Sequence, residues 1–165
     1  MQKGSDSPIH RIGLISDTHG LLRPGVFAAL AGVDVILHAG DVGGDDILDA
    51  LNTIAPTFAV FGNTDPPGDA RLEETIEREV GGVRVHVSHG HELGVPTPEK
   101  LLAAYPADVL VYGHTHRPLI VHAGGRVVVN PGAAGQRRFR LMPSVAKLYI
   151  ADGRADAEVI LLEER

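Results

Sequence analysis

Apolar and polar positions follow a strand–helix rhythm over the first third of the chain. Arg11–Ser16 is a short, largely apolar run closed by Asp17-Thr18-His19-Gly20, the pattern of a strand ending in a polar loop. Pro24–Ala31 begins on proline and ends beside Gly32, as a short helix does. Val33–His38 is a second apolar run, ending in Ala39-Gly40-Asp41. Asp45–Ile54 sets Ile47, Leu48, Leu51 and Ile54 at helical spacing behind an acidic first turn. Thr57–Phe61 is a third strand and ends in Gly62-Asn63-Thr64-Asp65. This alternation predicts parallel strands joined by crossover helices.

Pro66-Pro67-Gly68 breaks the rhythm. Around Gly81-Gly82 the flanks Thr75–Val80 and Val83–Val87 predict a hairpin, although Leu72–Glu79 also fits a helix. The second arm ends in Ser88-His89-Gly90-His91. Pro98–Tyr105 reads as a helix, and Asp108–Tyr112 as a strand ending in Gly113-His114-Thr115-His116. Strands near 119–123, 126–130, 144–151 and 157–162 follow. The pattern predicts a loose tail over 1–10 and a single domain over 11–165.

Polar residues able to bind metal recur just past the C-terminal ends of these strands, the edge where open α/β sheets bind ligands. The set is Asp17, His19, Asp41, Asn63, His89, His114 and His116: four imidazoles, two carboxylates and one amide oxygen. Mixed nitrogen and oxygen donors suit Mn, Fe, Ni, Co or Zn better than an all-oxygen calcium or magnesium cage. Seven ligands exceed what one such ion takes from protein. They fit two ions with one carboxylate bridging. No fragment of the set is specific alone, since an Asp-x-His loop or a His-x-His strand end also serves packing.

Composition narrows the partners. The chain has 165 residues and a formal net charge of −6, which disfavours a nucleic-acid binder and leaves a small phosphate ester, with bound cations supplying local positive charge. Cysteine is absent, which excludes disulfides and thiolate ligands. No signal peptide or spanning segment is visible, and the expected location is the cytoplasm. Oligomeric state is left open.

The series SDTHG (16–20), GD (40–41), GNTD (62–65), HGH (89–91), GHTH (113–116) and NPG (130–132) resembles the small, uncapped calcineurin-like metallophosphoesterases of bacteria and archaea over about residues 11–150. The resemblance implies a four-layer α/β/β/α sandwich. It implies that Asp17, His19 and His116 hold one ion and Asn63, His89 and His114 the other, with Asp41 bridging. The implied activity is a phosphodiesterase in which a metal-bridging hydroxide attacks phosphorus, most simply with two Mn ions. Alternatives are a phosphomonoesterase, a nucleotide or dinucleoside-polyphosphate hydrolase, or a non-catalytic scaffold like the retromer subunit of this fold.

Thr64 stands where many larger relatives carry a histidine general acid, and threonine cannot protonate an alkoxide effectively. Good leaving groups are therefore expected to be preferred. Asp65 and His91 are the candidate substitutes as acid, with Asn63, His91 and Arg137 as substrate contacts. Asp65 also reads as a turn carboxylate, and the basic run 136–140 as a solvated face. His38 reads as a buried or supporting residue, His86 and His122 as structural or solvent-facing, and His10 as part of the tail.

Overall fold

The computed structural model describes residues 8–66, 68–137 and 140–162. Strand β1 (His10–Ile15) is followed by helix α1 (Gly25–Ala29), β2 (Val35–His38), α2 (Asp45–Asn52), β3 (Thr57–Val60) and β4 (Leu72–Glu73). Strands β5 (Ile76–Val80) and β6 (Val83–Val87) form the expected hairpin. Then come α3 (Pro98–Ala104), β7 (Val109–Val111), β8 (Leu119–Ala123), β9 (Arg126–Asn130), β10 (Ser144–Ala151) and β11 (Arg154–Leu161).

The strands build two sheets, ordered β11-β10-β1-β2-β3-β4 and β5-β6-β7-β9-β8. Strands β1, β2, β3 and β4 pair in parallel, as do β6, β7 and β9; β10, β11, β5 and β8 add antiparallel edges. Alternation along each strand then decides the layering. Ile12, Leu14 and Leu37 of the first sheet meet Val85, Val109, Val111 and Val127 of the second in one buried cluster. The outer face of the first sheet, including Ile36 and Ala59, packs on Val26 and Leu30 near α1 and on Ile47, Leu48 and Leu51 of α2. The outer face of the second, Leu110 and Val128, packs on Leu101 of α3. Three apolar interfaces separate four layers, α/β/β/α.

The structure corrects several local expectations. His10 belongs to β1, opposite Ile150, because antiparallel pairing with β10 continues one residue beyond the apolar run. Leu72–Glu79 is strand, not helix: Leu72 and Glu73 pair with Ala59 and Val60, and Ile76–Val80 pair with β6. The last strand begins at Arg154 rather than 157, since it mirrors β10 over its whole length. Among the described residues no helix is long and apolar enough to cross a membrane.

Candidate metal centre

The parallel strands bring their C-terminal ends to one edge. Asp17 and His19 follow β1, Asp41 follows β2, Asn63 follows β3, His89 follows β6 and His114 and His116 follow β7. Backbone bonds prolong the pairing into the loops: Asp17 N–H donates to Gly40 C=O (2.9 Å), His19 N–H to Asp41 C=O (2.9 Å) and Gly113 N–H to His89 C=O (3.0 Å). Asp17, His19, Asp41, His114 and His116 all hold φ between 47 and 70°. Left-handed backbone costs a non-glycine residue free energy and recurs where function requires it. The loops also approach too closely for side chains at several glycines, two of them beside candidate ligands. A Cβ on Gly62 would lie 2.1 Å from Asp41 Oδ1, and one on Gly113 2.1 Å from Ser16 Oγ.

Each carboxylate has one oxygen tied and one directed into a shared gap. Asp17 Oδ2 accepts from Ser16 Oγ (2.7 Å) and His114 N–H (3.1 Å). Its Oδ1 is buried with no hydrogen-bond partner, 3.3 Å from His116 Nε2 and 3.6 Å from His19 Nε2. Asp41 Oδ1 accepts from Thr64 N–H (2.9 Å). Its Oδ2 faces His89 Nε2 (3.3 Å) and His19 Nε2 (3.6 Å). Burial alone would raise the pKa of both acids. The imidazoles outweigh it and hold Asp17 far below, and Asp41 below, the ordinary value.

His89 fixes what the gap lacks. Its Nδ1 lies 2.8 Å from the Ala39 carbonyl, which can only accept, so Nδ1 carries the proton. In the neutral ring Nε2 is then a lone pair, yet it lies 3.0 Å from Asn63 Oδ1 and 3.3 Å from Asp41 Oδ2. His114 Nδ1 joins Asn63 Oδ1 at 3.2 Å. Acceptors that face one another without a proton between them call for a cation. Without one, burial lowers the His89 pKa, but Asp41 and Asp17 outweigh this and raise it. Among the described residues two groups have donor atoms within 4.8 Å of one another: Asp17, His19 and His116, and Asp17, Asp41 and His89. The residues present fit a divalent metal.

Supporting side chains link the loops, among them His38 and, in the NPG motif, Asn130. His38 Nδ1 accepts from Gly40 N–H (3.1 Å), so its Nε2–H donates to Thr18 Oγ1 (3.0 Å), and that hydroxyl donates to Val42 C=O (2.7 Å). Burial lowers the His38 pKa to about 4, so the ring stays neutral. Asn130 Nδ2 donates to Gly113 C=O (3.2 Å) and Thr115 Oγ1 (3.1 Å). The NPG motif at the end of β9 carried that signal.

Asp65 lies among the backbones of the ligand loops. Expected as a candidate acid, it is buried and accepts from Val42 N–H, Gly43 N–H and Gly62 N–H at 2.9–3.2 Å. Those three backbone donors tie the carboxylate to the loops that carry Asp41 and Asn63. His91 is half-buried beside the cluster, its ring 5.3 Å from that of His89 and 6.4 Å from that of His114, with Nδ1 unpartnered. Arg137 is exposed, while Arg138 and Phe139 of the same basic run lie outside the described residues. His86 is buried against Glu77 and stacks on Tyr105, and His122 is exposed beside Asp156.

Two facing sheets with a histidine–aspartate cluster at their C-terminal edge define a candidate metal-binding α/β/β/α domain. The chain belongs to the calcineurin-like phosphoesterase superfamily, whose domain model matches residues 11–153. A probable metallophosphoesterase of Methanothermobacter thermautotrophicus is 37% identical over 90% of this chain and 91% of its own. A phosphodiesterase of Methanocaldococcus jannaschii is 28% identical over 74% of this chain and 82% of its own. Among solved structures, wild-type Vps29 of Entamoeba histolytica complexed with zinc superposes with a TM-score of 0.72 at 26% identity. It covers 93% of this chain and 99% of that one.

Proposed function

We propose that the chain is a two-metal phosphodiesterase acting on a small phosphate ester in the cytoplasm, and not on nucleic acid. The observation that carries this reading is the convergence of Asp17 Oδ1 and Asp41 Oδ2 on the Nε2 atoms of His19, His89 and His116. Asp17, His19 and His116 would hold one ion, and Asn63, His89 and His114 the other. Asp41, whose Oδ2 is 3.6 Å from His19 Nε2 and 3.3 Å from His89 Nε2, would serve both ions. Divalent ions bound there, Mn foremost, would acidify water for attack on phosphorus and offset charge on the phosphoryl oxygens.

The protein's own groups supply the rest. The Ala39 carbonyl fixes the His89 tautomer, and Ser16 and Thr64 hold the two carboxylates in orientation. Asn63 is exposed at the loop edge, where it can contact a phosphoryl oxygen as well as a metal. His91 is our candidate for the proton donor to the leaving oxygen, with Arg137 as a further phosphate contact. Thr64 takes no part in proton transfer, so aryl esters should react faster than alkyl esters.

The test is hydrolysis of bis(p-nitrophenyl) phosphate and p-nitrophenyl phosphate by chelated protein with and without added Mn²⁺. We expect metal-dependent turnover of the diester above the monoester, and its near-complete loss in Asn63→Ala and His114→Ala with the fold retained. No metal-dependent turnover of either ester would favour the second reading, a scaffold. The structural likeness to Vps29 motivates that alternative.

A further inference from the structure

A cavity of about 310 Å³, at the small end of the range for small-molecule sites, opens beside the ligand loops. Its lining includes buried Val42 and Leu48 and half-buried Leu72, with Thr64, Asp45 and Asp69 at the rim. Val42 and Thr64 directly follow Asp41 and Asn63. The Thr64 N–H is bonded to Asp41 Oδ1 at 2.9 Å, so the cavity wall lies one hydrogen bond from a carboxylate of the metal centre. The space is neither ligand shell nor core.

Its charge is one-sided. No lysine, arginine or histidine is among the described lining residues. Arg71 contacts this rim, its guanidinium held by Asp49 at 3.0 Å and Asp45 at 4.0 Å and its backbone N–H donating to Asp69 Oδ1. The third lining aspartate, Asp65, is engaged by backbone N–H groups. An anionic group entering here would meet the Asp45 and Asp69 carboxylates, and the Arg71 guanidinium that could offset them is already shared between Asp49 and Asp45, whereas an uncharged ring or chain would lie on Val42, Leu48 and Leu72.

We propose that this cavity receives one ester arm of the substrate and selects an uncharged, apolar arm over one bearing its own negative charge. The proposal rests on the phosphodiesterase reading for the bond that is cleaved, but the recognition is testable without cleavage. The substrate class is thereby a phosphodiester with an aryl or alkyl arm, not one extended by further phosphate.

The experiment is calorimetric titration of the Mn²⁺-loaded protein with phenylphosphonate, 4-carboxyphenylphosphonate and methylphosphonate, none of which is cleaved. Phenylphosphonate should bind about threefold to tenfold more tightly than its carboxylated analogue, the size expected for partly exposed charge pairs. In Asp45→Lys/Asp69→Lys that preference should vanish, while methylphosphonate, which has no arm to place, changes less than about twofold. Asp45→Asn/Asp69→Asn should give a partial loss and serves where the lysine pair folds poorly. Equal binding in the wild type, no phosphonate binding, or an unchanged preference in both variants would overturn the proposal. Failure to hydrolyse bis(p-nitrophenyl) phosphate with the preference intact would end the phosphodiesterase reading and leave the cavity assignment standing.

Discussion

At Asp65 one carboxylate accepts N–H groups from the loops that carry Asp41 and Asn63. Truncation strands those donors, so Asp65→Ala should cost about 2–4 kcal/mol of stability. It should also weaken Mn²⁺ binding about tenfold to a hundredfold, as loss of groups supporting metal ligands does. Urea unfolding and calorimetry measure the two; unchanged metal affinity would refute the positioning role. His38 makes a pH prediction. Its pKa is about 4 folded against 6.5 for the free side chain, so between those values the unfolded chain binds a proton that the folded one refuses. Stability of the chelated protein should therefore fall by about 3 kcal/mol as pH drops from 6.5 to 4. His38→Gln should flatten that slope; a slope that persists assigns it to other groups. The sequence showed His38 as a supporting residue because it sits within an apolar strand. It left Asp65 ambiguous because its partners Val42 and Gly43 are 23 and 22 residues away, a distance only the fold closes.

Strand ends, rather than strands, carry the site at the scale of elements. Gly-rich turns were legible because glycine accompanies each candidate ligand, but left-handed backbone at five of the ligands themselves was not. No periodicity encodes it; it arises where a loop continues the pairing of its neighbour before turning. His114, at φ 70° and partly exposed, isolates that cost. His114→Gly and His114→Ala both lose the imidazole, yet the glycine variant should be more stable by about 1 kcal/mol, since only alanine keeps the steric penalty. Equal unfolding midpoints would show the backbone to be unstrained there. Strand β4 was invisible to sequence reading for a related reason. Two residues have no period, and Leu72-to-Glu79 spacing suited a helix until pairing with β3 and β6 decided the matter. The short helical turn His91–Leu93 escaped notice too, being capped by Gly90 rather than announced by a periodic run.

For the whole molecule, three apolar interfaces make a rigid frame whose one edge gathers carboxylates and imidazoles in an acidic chain of net charge −6. Such a cluster exists only when both sheets are folded and facing, so metal bound there stabilises the folded state alone. At a hundredfold excess over Kd each ion contributes about 2.7 kcal/mol, which for a domain of this length raises Tm by about 5–10 °C. Chelation should reverse that rise, and titration of the chelated protein should reach two ions per chain. The geometry further distinguishes the ligands. In the proposed centre Asp41, which faces both His19 and His89, serves both ions, whereas His116 converges with Asp17 and His19 on one. Asp41→Asn should therefore abolish most of the metal-induced rise, and His116→Ala should lower the stoichiometry toward one while part of the rise remains. Saturation of the wild type at one ion, or equal effects of the two substitutions, would replace the two-metal centre with a single site.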